Sequence, residues 1–395
     1  MLAIDMNAHY LERQARLNAV MTQAGVAAVF TPDPINMHYA TGTSNMTIWS
    51  LLGASRFLLH FAQGPTYLYE FSLGEHLSAH LPTITEIRTS TTAGGITAKK
   101  TFDYLSNAAA YASEIAAEVR SRLGQGATLA VEGVDFVFTD ALRTQGLVLA
   151  DATALFMRAR QIKTPLEIQV MRQAVKLVEC AVTELEHKIK PGRSENEVWG
   201  EFHRGLIARG GQFTTTRLFQ SGLRTFPYFH ESSDHVMQAG DLVCLDTDVV
   251  GIHHYGVDFS RTFLCGDVAA TPVQRKLYRI ALEQVEHNAS LLCAGRSYED
   301  FARQAYDVPA KYQAYGYYVL AHGLGQSQGL PNVPRIAADG SYNFPGAFEP
   351  NTVFCIESYV GDPDSRQGVK LEDEYLITAT GVEKLSTYPY AAALR

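Results

Sequence analysis

Residues 241–263, which read DLVCLDTDVVGIHHYGVDFSRTF, restrict the fold of this 395-residue chain more than any other stretch. An apolar run at 242–245, a glycine at Gly251 and a second extended segment predict a β-hairpin. Three aspartates interrupt it: Asp246, Asp248 and Asp258. Buried carboxylates cost several kcal/mol each unless a cation or hydrogen bonds compensate them. One aspartate in a strand is usually a hydrogen-bonded structural residue, whereas three in one hairpin predict a metal site.

A weak internal repeat follows, in which each half contains a helix, a second helix and a strand pair with acidic residues. The matching segments are Thr164-Pro165 with Thr271-Pro272, Gly192-Arg193-Ser194 with Gly295-Arg296-Ser297, residues 243–246 with 354–357, and residues 256–258 with 368–372. Two such halves, related by a pseudo-two-fold axis, would bring Glu357 and Glu372 opposite the three aspartates. Carboxylates that converge in this way repel one another unless cations neutralise them.

His322, in Ala321-His322-Gly323-Leu324-Gly325, is the candidate imidazole ligand, because the flanking glycines permit close approach of the backbone. A lone histidine is more often structural, and only the acidic set favours a ligand role. Oxygen-rich ligands with one imidazole predict two divalent ions of manganese, iron, cobalt or zinc rather than copper.

The first part of the chain predicts a small α/β domain without a catalytic cluster. Predicted helices at 8–23 and 104–123 alternate with predicted strands at 26–30, 57–61, 66–71 and 128–131, and residues 33–36 are predicted to form a polar loop. Trp49 is a candidate substrate-binding residue, with a core or interface position as the alternative. The predicted domains are residues 1–157 and 158–395.

Composition excludes several classes of protein. A formal net charge of -8 argues against nucleic-acid binding, which requires a basic face. The five cysteines form no CxxC pair and are predicted to be reduced core residues. No run reaches the roughly 18 apolar residues needed to span a bilayer, and the first residues lack a signal-peptide pattern. We therefore expect a cytoplasmic protein with a small-molecule substrate and no nucleic-acid or membrane partner.

These motifs resemble those of the pita-bread metalloenzymes, which include methionine aminopeptidase, prolidase, aminopeptidase P and the metal-free creatinase. Residues 33–42 resemble the creatinase-type N-terminal domain, and residues 162–165, the His322 loop, Glu357 and residues 371–373 resemble the catalytic domain. The resemblance implies an α+β protein, with a creatinase-type N-terminal α/β domain followed by a pita-bread catalytic domain of internal pseudo-two-fold symmetry. It also implies a homodimer.

Within this superfamily the sequence resembles the dimethylsulfoniopropionate lyase branch, through Asp246-Thr247-Asp248 and Lys370-Leu371-Glu372-Asp373. Carried over residue by residue, the implied metal ligands are Asp246, Asp248, Asp258, His322, Glu357 and Glu372. Either Asp246 or Asp248 takes the role of the single aspartate that peptidases usually have.

Three positions depart from the patterns of these relatives. The lyases place an aspartate six residues beyond the histidine, where this chain has Gln328, and glutamine cannot abstract the proton that β-elimination requires. The proline-specific peptidases place a second histidine one position later, where this chain has Gly329. His230 is an imperfectly aligned counterpart of the histidine that precedes the first metal strand in peptidases.

The leading functional prediction is a dinuclear metal-dependent hydrolase of a small polar or zwitterionic substrate with an amide, C–N or Xaa-Pro-like bond, which uses a metal-activated hydroxide. Glu357 is predicted to help remove the proton of the water, and His230 to stabilise the oxyanion or donate a proton. Arg224 is a candidate for binding a substrate carboxylate, with a structural salt bridge as the alternative.

Tyr317 and Tyr318 are candidates for an aromatic wall that binds a cationic group, or else for part of a buried strand. Two other functions stay open. One is a dimethylsulfoniopropionate lyase, which yields dimethyl sulfide and acrylate by C–S β-elimination. The other is a metal-free, peptide-binding pseudoenzyme, which the intact ligand set disfavours.

Overall fold

A computed structural model describes residues 3–46, 56–90, 104–326 and 328–395. The chain divides into one unit that ends at Arg160 and another that comprises Gln161–Arg395. Among the described helices, none combines the length and the apolar character needed to cross a bilayer.

The first unit is built on a six-stranded mixed sheet. Its helices are α1 (Met6–Gln23), α2 (Pro34–Thr41), α3 (Tyr104–Leu123), α4 (Phe136–Thr144) and α5 (Thr153–Gln161). Its strands are β1 (Ala28–Thr31), β2 (Phe57–Phe61), β3 (Thr66–Phe71), β4 (Glu86–Ser90), β5 (Thr128–Val131) and β6 (Val148–Asp151). The strand order is β4-β3-β2-β1-β5-β6, and an aromatic core that includes Phe30, Phe57 and Phe138 fills the space between the sheet and its helices.

The prediction of a polar loop at residues 33–36 is wrong, because these residues start helix α2. The Asp33 side chain accepts a hydrogen bond from the backbone N–H of Asn36, and Pro34 occupies the first helical turn. An aspartate N-cap followed by proline is a standard helix start, so the signal was present in the sequence.

The second unit contains two sheets covered by helices. Its helices are α6 (Pro165–Glu186), α7 (Glu195–Ile207), α8 (Pro272–Ser290), α9 (Tyr298–Gln304) and α10 (Ala310–Gln313). Its strands are β7 (Phe213–Thr214), β8 (Phe219–Ser221), β9 (Leu242–Asp246), β10 (Val249–Val250), β11 (Gly256–Val257), β12 (Ser260–Leu264), β13 (Val319–Leu324), β14 (Gln328–Pro334), β15 (Thr352–Asp362), β16 (Gln367–Ile377) and β17 (Val382–Lys384). The large sheet runs β14-β13-β15-β16-β12-β9-β8 with β17 beside β16, and the small sheet runs β11-β10-β7.

The predicted hairpin at residues 241–263 is confirmed, and each of its two arms contributes one strand to the large sheet and one to the small sheet. Strands β9 and β12 pair antiparallel in the large sheet, whereas β10 and β11 pair in the small one. The chain reverses at Ile252–His254, where His253 and His254 adopt positive φ angles. The aspartates therefore lie where the hairpin passes from one sheet to the other.

The helix starts predicted from the repeat are also confirmed. Thr164, Ser194 and Thr271 each form a complete capping box, in which the cap side chain and the N3 side chain exchange hydrogen bonds with the backbone. Ser297 caps α9 without the reciprocal bond: its side chain accepts from the Asp300 backbone N–H and donates to the Asp300 carboxylate. These signals are local in sequence, which is why they could be recognised before the fold was known.

Strand β15 is buried along all of its 11 residues and β16 along all but its first, Gln367, and the two faces of these strands differ in chemistry. On one face, apolar side chains such as Ile356 and Leu371 pack against α8. Because side chains alternate along a strand, Glu357 and Glu372 point to the opposite face. The apolar contacts with α8 thus hold β15 and β16 in place, with Glu357 and Glu372 on the face that points away from α8.

A substitution at Gly323 tests whether the close approach of β13 and β14 positions His322. A Cβ atom at this residue would collide with the backbone carbonyl of Leu330 on the neighbouring strand, which no side-chain rotation relieves. We expect Gly323→Ala to lower the free energy of unfolding by more than about 3 kcal/mol, as overpacking against backbone does. Chemical denaturation monitored by circular dichroism measures this change.

Gly200, in helix α7, is the matched control, since a Cβ atom there would meet no atom within 4 Å. Gly200→Ala should leave stability unchanged or raise it by up to about 1 kcal/mol. Equal stability of the two variants would contradict the role assigned to Gly323.

Candidate metal centre

Four strands of the large sheet place polar side chains in one row across the same face. Asp246 lies opposite Ser260, Ser260 lies opposite Glu372, and Glu372 lies opposite Glu357. Directly paired residues of neighbouring strands share a face, so the row is a consequence of the strand register. We call these four side chains the carboxylate row.

His322 closes one end of the row. Its Nε2 lies 3.4 Å from Glu357 Oε1, 3.4 Å from Glu372 Oε1 and 3.6 Å from Asp258 Oδ2. Burial opposes the charged imidazole, but the carboxylates of Glu357 and Glu372 outweigh it and raise the pKa of His322 well above its ordinary value. In the metal-free protein His322 is therefore a cation that neutralises part of the acidic charge.

Lys370 occupies the opposite side of the row, and the sequence analysis missed its role. Its Nζ donates to Glu357 Oε2 at 2.6 Å, to Glu372 Oε2 at 2.7 Å and to Ser260 Oγ at 2.7 Å, and lies 3.4 Å from Asp246 Oδ2. Burial opposes its charge, but these carboxylates raise the pKa of Lys370 well above its usual range. The two-residue spacing from Glu372 on one strand was the available signal, since it places both side chains on one face.

Asp248 lies beyond the end of β9, in the left-handed region with φ 41°. Its Oδ2 accepts a hydrogen bond of 2.6 Å from Thr216 Oγ1. Burial and the nearby Asp246 raise the pKa of Asp248 to about 7. Both aspartates of the Asp246-Thr247-Asp248 motif thus border the acidic site.

The pKa values of the other carboxyl groups in the centre shift in opposite directions. Burial and the Glu372 charge raise the pKa of Glu357 to about 7 and that of Asp258 well above its ordinary value. Burial also opposes ionisation of Glu372, but Lys370 and His322 outweigh it and lower the pKa of Glu372. Near neutral pH the metal-free centre therefore holds protons that a metal ion would have to displace.

Two buried oxygens of the centre are suited to a cation. Asp258 Oδ1 makes no hydrogen bond to any described residue, and neither does Glu372 Oε1, although His322 Nε2 lies 3.4 Å from the latter. Unpaired buried carboxylate oxygens are costly, and a divalent ion removes that cost. The donors around them are carboxylates, an imidazole and the thiol of Cys355, a set that fits manganese, iron, cobalt or zinc.

An aromatic cluster borders the Lys370 side of the row and consists of Tyr228, Phe229, Tyr317, Tyr318 and Tyr359. The Tyr228 ring lies 4.8 Å from that of Tyr359 and 5.8 Å from that of Tyr317, measured between centroids. Lys370 Nζ lies 4.8 Å from the centroid of Tyr317. Tyr228, which the sequence analysis did not single out, donates from its hydroxyl to Asp246 Oδ2 at 2.6 Å.

Tyr317 and Tyr318 precede β13 rather than form part of it, and Tyr318 is 61% exposed. The centroids of their rings are 4.7 Å apart. The alternative of a buried strand is therefore wrong for this pair.

The remaining predicted site residues lie apart from the row or outside the described residues. Arg224 follows the salt-bridge alternative, with its Nε 3.2 Å from the buried Glu195 and its Nη2 donating to the Glu231 carbonyl. His230 bonds through Nδ1 to the Pro227 carbonyl, and no described hydrogen bond or ion pair joins it to the carboxylate row. Trp49 lies outside the described residues.

Residues 169–379, more than half of the chain, match the metallopeptidase family M24. The chain belongs to this family. It is 31% identical to the dimethylsulfoniopropionate lyase DddP of Roseovarius nubinhibens, over 97% of this chain and 86% of that protein. It is 25% identical to the Xaa-Pro dipeptidase of Pyrococcus furiosus, over 95% of this chain and 97% of that enzyme.

The solved dipeptidase PepE of Mycobacterium ulcerans superposes with a TM-score of 0.76 at 19% identity, and the match covers 98% of each chain. At this level of identity the match supports the fold alone. The predicted pita-bread α+β fold and the predicted superfamily are confirmed. The protein is an M24-family enzyme.

The protonation of the centre predicts how the stability of the metal-free protein depends on pH. Folded Asp248 and Glu357 have pKa values of about 7, so between about pH 4 and 7 the folded state binds protons that the unfolded chain has released. For these two groups the free energy of unfolding should therefore fall as the pH rises from about 5 to 7, by on the order of 5 kcal/mol, since each group contributes about 1.4 kcal/mol per pH unit.

The lowered pKa of Glu372 stabilises the fold fully throughout this window. The raised pKa of His322 adds to the decline above about pH 6.5, where the unfolded imidazole releases the proton that folded His322 keeps. Thermal melts of chelator-treated protein across the window measure the effect. Saturating divalent metal should abolish the decline, because the metal replaces the protons. Stability that rises with pH in the metal-free protein would contradict this description of the centre.

Proposed function

We propose that this protein is a dinuclear metal-dependent hydrolase of a small zwitterionic substrate that carries an onium group, either a quaternary ammonium or a sulfonium. The observation that supports this substrate class is the aromatic cluster beside the carboxylate row. Aromatic rings bind onium cations through their negative faces, and desolvated contacts of this kind are worth about 1–2 kcal/mol each. The acidic row adds a negative field that favours the same cation.

In this proposal two divalent ions are held by Asp246, Asp248, Asp258, His322, Glu357 and Glu372. The unpaired oxygens of Asp258 and Glu372 and the register of the row support this ligand set. Bound divalent ions supply Lewis acidity, which lowers the pKa of a water molecule and polarises the scissile bond.

Glu357 is the residue best placed to accept the proton of the attacking water. Its carboxylate lies between His322 and Lys370, so one oxygen faces each cation. Lys370 holds Glu357 and Glu372 in place through short hydrogen bonds, which restricts their rotation. Such preorganisation reduces the cost of aligning catalytic groups when the substrate binds.

Tyr228 is the hydrogen-bond donor that the geometry favours for a developing oxyanion. Burial and the Asp246 carboxylate raise its pKa well above 10, so its hydroxyl stays protonated at neutral pH. It already donates to Asp246 from the edge of the aromatic cluster. The sequence analysis gave this role to His230, which has no described contact with the row.

The second candidate is the cleavage of dimethylsulfoniopropionate, and the likeness to the lyase of Roseovarius nubinhibens supports it. A sulfonium would fit the aromatic cluster as well as a quaternary ammonium. The residue that argues against it is Gln328, because an amide cannot take the proton from the carbon next to the carboxylate.

Two assays on purified, metal-loaded protein separate these reactions. One measures dimethyl sulfide in the headspace over dimethylsulfoniopropionate, and the other follows hydrolysis of amide and C–N bonds in onium substrates by mass spectrometry. We expect metal-dependent hydrolysis that a chelator abolishes and zinc or manganese restores. Dimethyl sulfide release at catalytic turnover would overturn the hydrolase proposal in favour of the lyase.

Gln328 provides a gain-of-function test. Gln328→Asp introduces a carboxylate at the position that carries an aspartate in the lyases, and we expect headspace dimethyl sulfide to rise by roughly 10²-fold or more, as a general base contributes. Gln125→Asp makes the same change at an exposed loop residue and is the control. It should release no more dimethyl sulfide than the parent protein does. If Gln328→Asp releases dimethyl sulfide at the rate of the parent protein, then Gln328 is not the residue that limits elimination.

Tyr317 tests the substrate class. Tyr317→Leu keeps an apolar side chain but removes the ring, and we expect KM for onium substrates to rise about 5- to 30-fold, equivalent to about 1–2 kcal/mol, with a smaller change in kcat. For an isosteric substrate with a neutral tert-butyl group, KM should change little in the same variant. Tyr306→Leu, at a tyrosine that bonds Glu283 outside the aromatic cluster, is the control. Equal losses for the neutral and charged substrates would contradict onium binding.

A further inference from the structure

We propose that Cys355 is a direct ligand of one of the two metal ions. It would act with Asp258, His322 and Glu372 and make that end of the centre selective for a thiophilic transition ion. This inference rests on the proposed metal dependence but not on the proposed substrate. It goes beyond the six ligands implied by the resemblance, which contain no sulfur, and beyond the prediction that Cys355 is only a core residue.

The strand register places the thiol inside the centre. Cys355 lies directly opposite His322 in the pairing of β13 with β15, so the two side chains share a face. It also lies two residues before Glu357 on the same strand, which puts the thiol and that carboxylate on one face as well. The residue is fully buried, so its sulfur meets the centre rather than solvent.

The distances suit a four-ligand site. One potential ligand atom from each of Asp258, His322, Cys355 and Glu372 lies within 4.8 Å of all the others. A tetrahedral shell with metal–ligand bonds of about 2.0–2.3 Å separates its ligands by about 3.3–3.8 Å. His322 Nε2 already meets this spacing, at 3.6 Å from Asp258 Oδ2 and 3.4 Å from Glu372 Oε1. Changes of about 1 Å, within the reach of side-chain torsions, complete the shell.

The unpaired oxygens supply a second, independent indication. Asp258 Oδ1 and Glu372 Oε1 are buried and make no hydrogen bond to the described residues, and both belong to this same set. The Cys355 sulfur makes only a weak contact of 3.5 Å, to the Asp258 carbonyl. A cation at this end would therefore satisfy three groups at once, and its charge would replace that of the protonated His322, which lies 3.4 Å from Glu372 Oε1.

The opposite end of the centre is chemically different. There Lys370 and Ser260 hold the carboxylates, and the thiol of Cys244, on the same face, bonds Thr262 and the Gly368 carbonyl, which leaves oxygen donors for a metal ion. Soft thiolate favours zinc, cobalt and ferrous iron, whereas an all-oxygen set favours manganese and magnesium. Binding at the cysteine end replaces the S–H bond with a sulfur–metal bond and releases the thiol proton to solvent. The His322 imidazolium and any protonated carboxyl group of the set must release their protons as well before they can bind the ion.

Cobalt substitution tests this proposal through a spectroscopic signal that does not depend on turnover. The protein prepared for this test has Cys180→Ser and Cys293→Ser, which remove the exposed thiols, and it is the parent of the variants below. Loading with Co(II) should produce an intense near-ultraviolet thiolate-to-cobalt charge-transfer band, and Cys355→Ser should abolish it. The Cys244→Ser control should retain it, since the buried Cys244 bonds Thr262 and the Gly368 carbonyl instead.

The selectivity for zinc over manganese is measured by competition of the protein with a chromophoric chelator for each metal. We expect Cys355→Ser to weaken zinc by roughly 10- to 100-fold, the range seen when even supporting residues of a metal site are changed, and to leave manganese nearly unchanged. Absence of the band in the parent protein, or its persistence in Cys355→Ser, would overturn the proposal.

X-ray absorption of the zinc-loaded parent protein needs no variant at Cys355 and so covers the case in which that variant does not fold. A sulfur scatterer at about 2.3 Å supports the proposal, and a shell of nitrogen and oxygen alone refutes it. A sulfur shell in a protein that hydrolyses no onium substrate would leave the cysteine ligand standing and reject the proposed function. Hydrolysis of an onium substrate without a sulfur shell would support the proposed function and reject the cysteine ligand.

Discussion

The structure depends on how a set of acidic side chains is kept buried on one face of two long central strands. Glu357 and Glu372 lie directly opposite each other on β15 and β16, where bare carboxylates would repel strongly. Lys370 and His322 provide the opposing charge, and protons on neighbouring carboxyl groups reduce the remainder. A metal centre in place of these protons is the simplest way in which such a face is useful to an enzyme.

The reverse face of the same strands supplies the rigidity that this arrangement requires. Arg261 is fully buried, and its guanidinium bonds Asp373 and the Tyr388 carbonyl, which joins β12 and β16 to the C-terminal segment. Tyr390 also donates to Asp373, and the Arg261 guanidinium lies over the Tyr390 ring. Because side chains alternate, these contacts lock the register of β12 and β16 without entering the metal-facing side.

The centre is asymmetric, although the fold around it repeats. One end combines Lys370 with the aromatic cluster and offers oxygen donors, and the other brings His322, Cys355 and two unpaired carboxylate oxygens together. In the proposed enzyme the first end binds the onium group and the second holds the more thiophilic ion. The two backbone halves thus carry unequal chemistry. Lys370 has no lysine counterpart across the pseudo-symmetry axis, and Cys244, the counterpart of Cys355, bonds Thr262 and the Gly368 carbonyl instead of lying beside His322.

The sequence by itself determined the local features, namely the helix caps at Thr164, Ser194 and Thr271 and the strands that carry the acidic residues. These depend on a few consecutive residues, as did the start of α2, whose signal was present but was misinterpreted. Tertiary structure decided which groups surround the acids: Lys370 and Cys355 entered the centre, whereas Arg224 bonded Glu195. The positions of Lys370 and Cys355 depend on strand register, which pairs residues as distant in sequence as Ser260 and Glu372, and no local pattern encodes it.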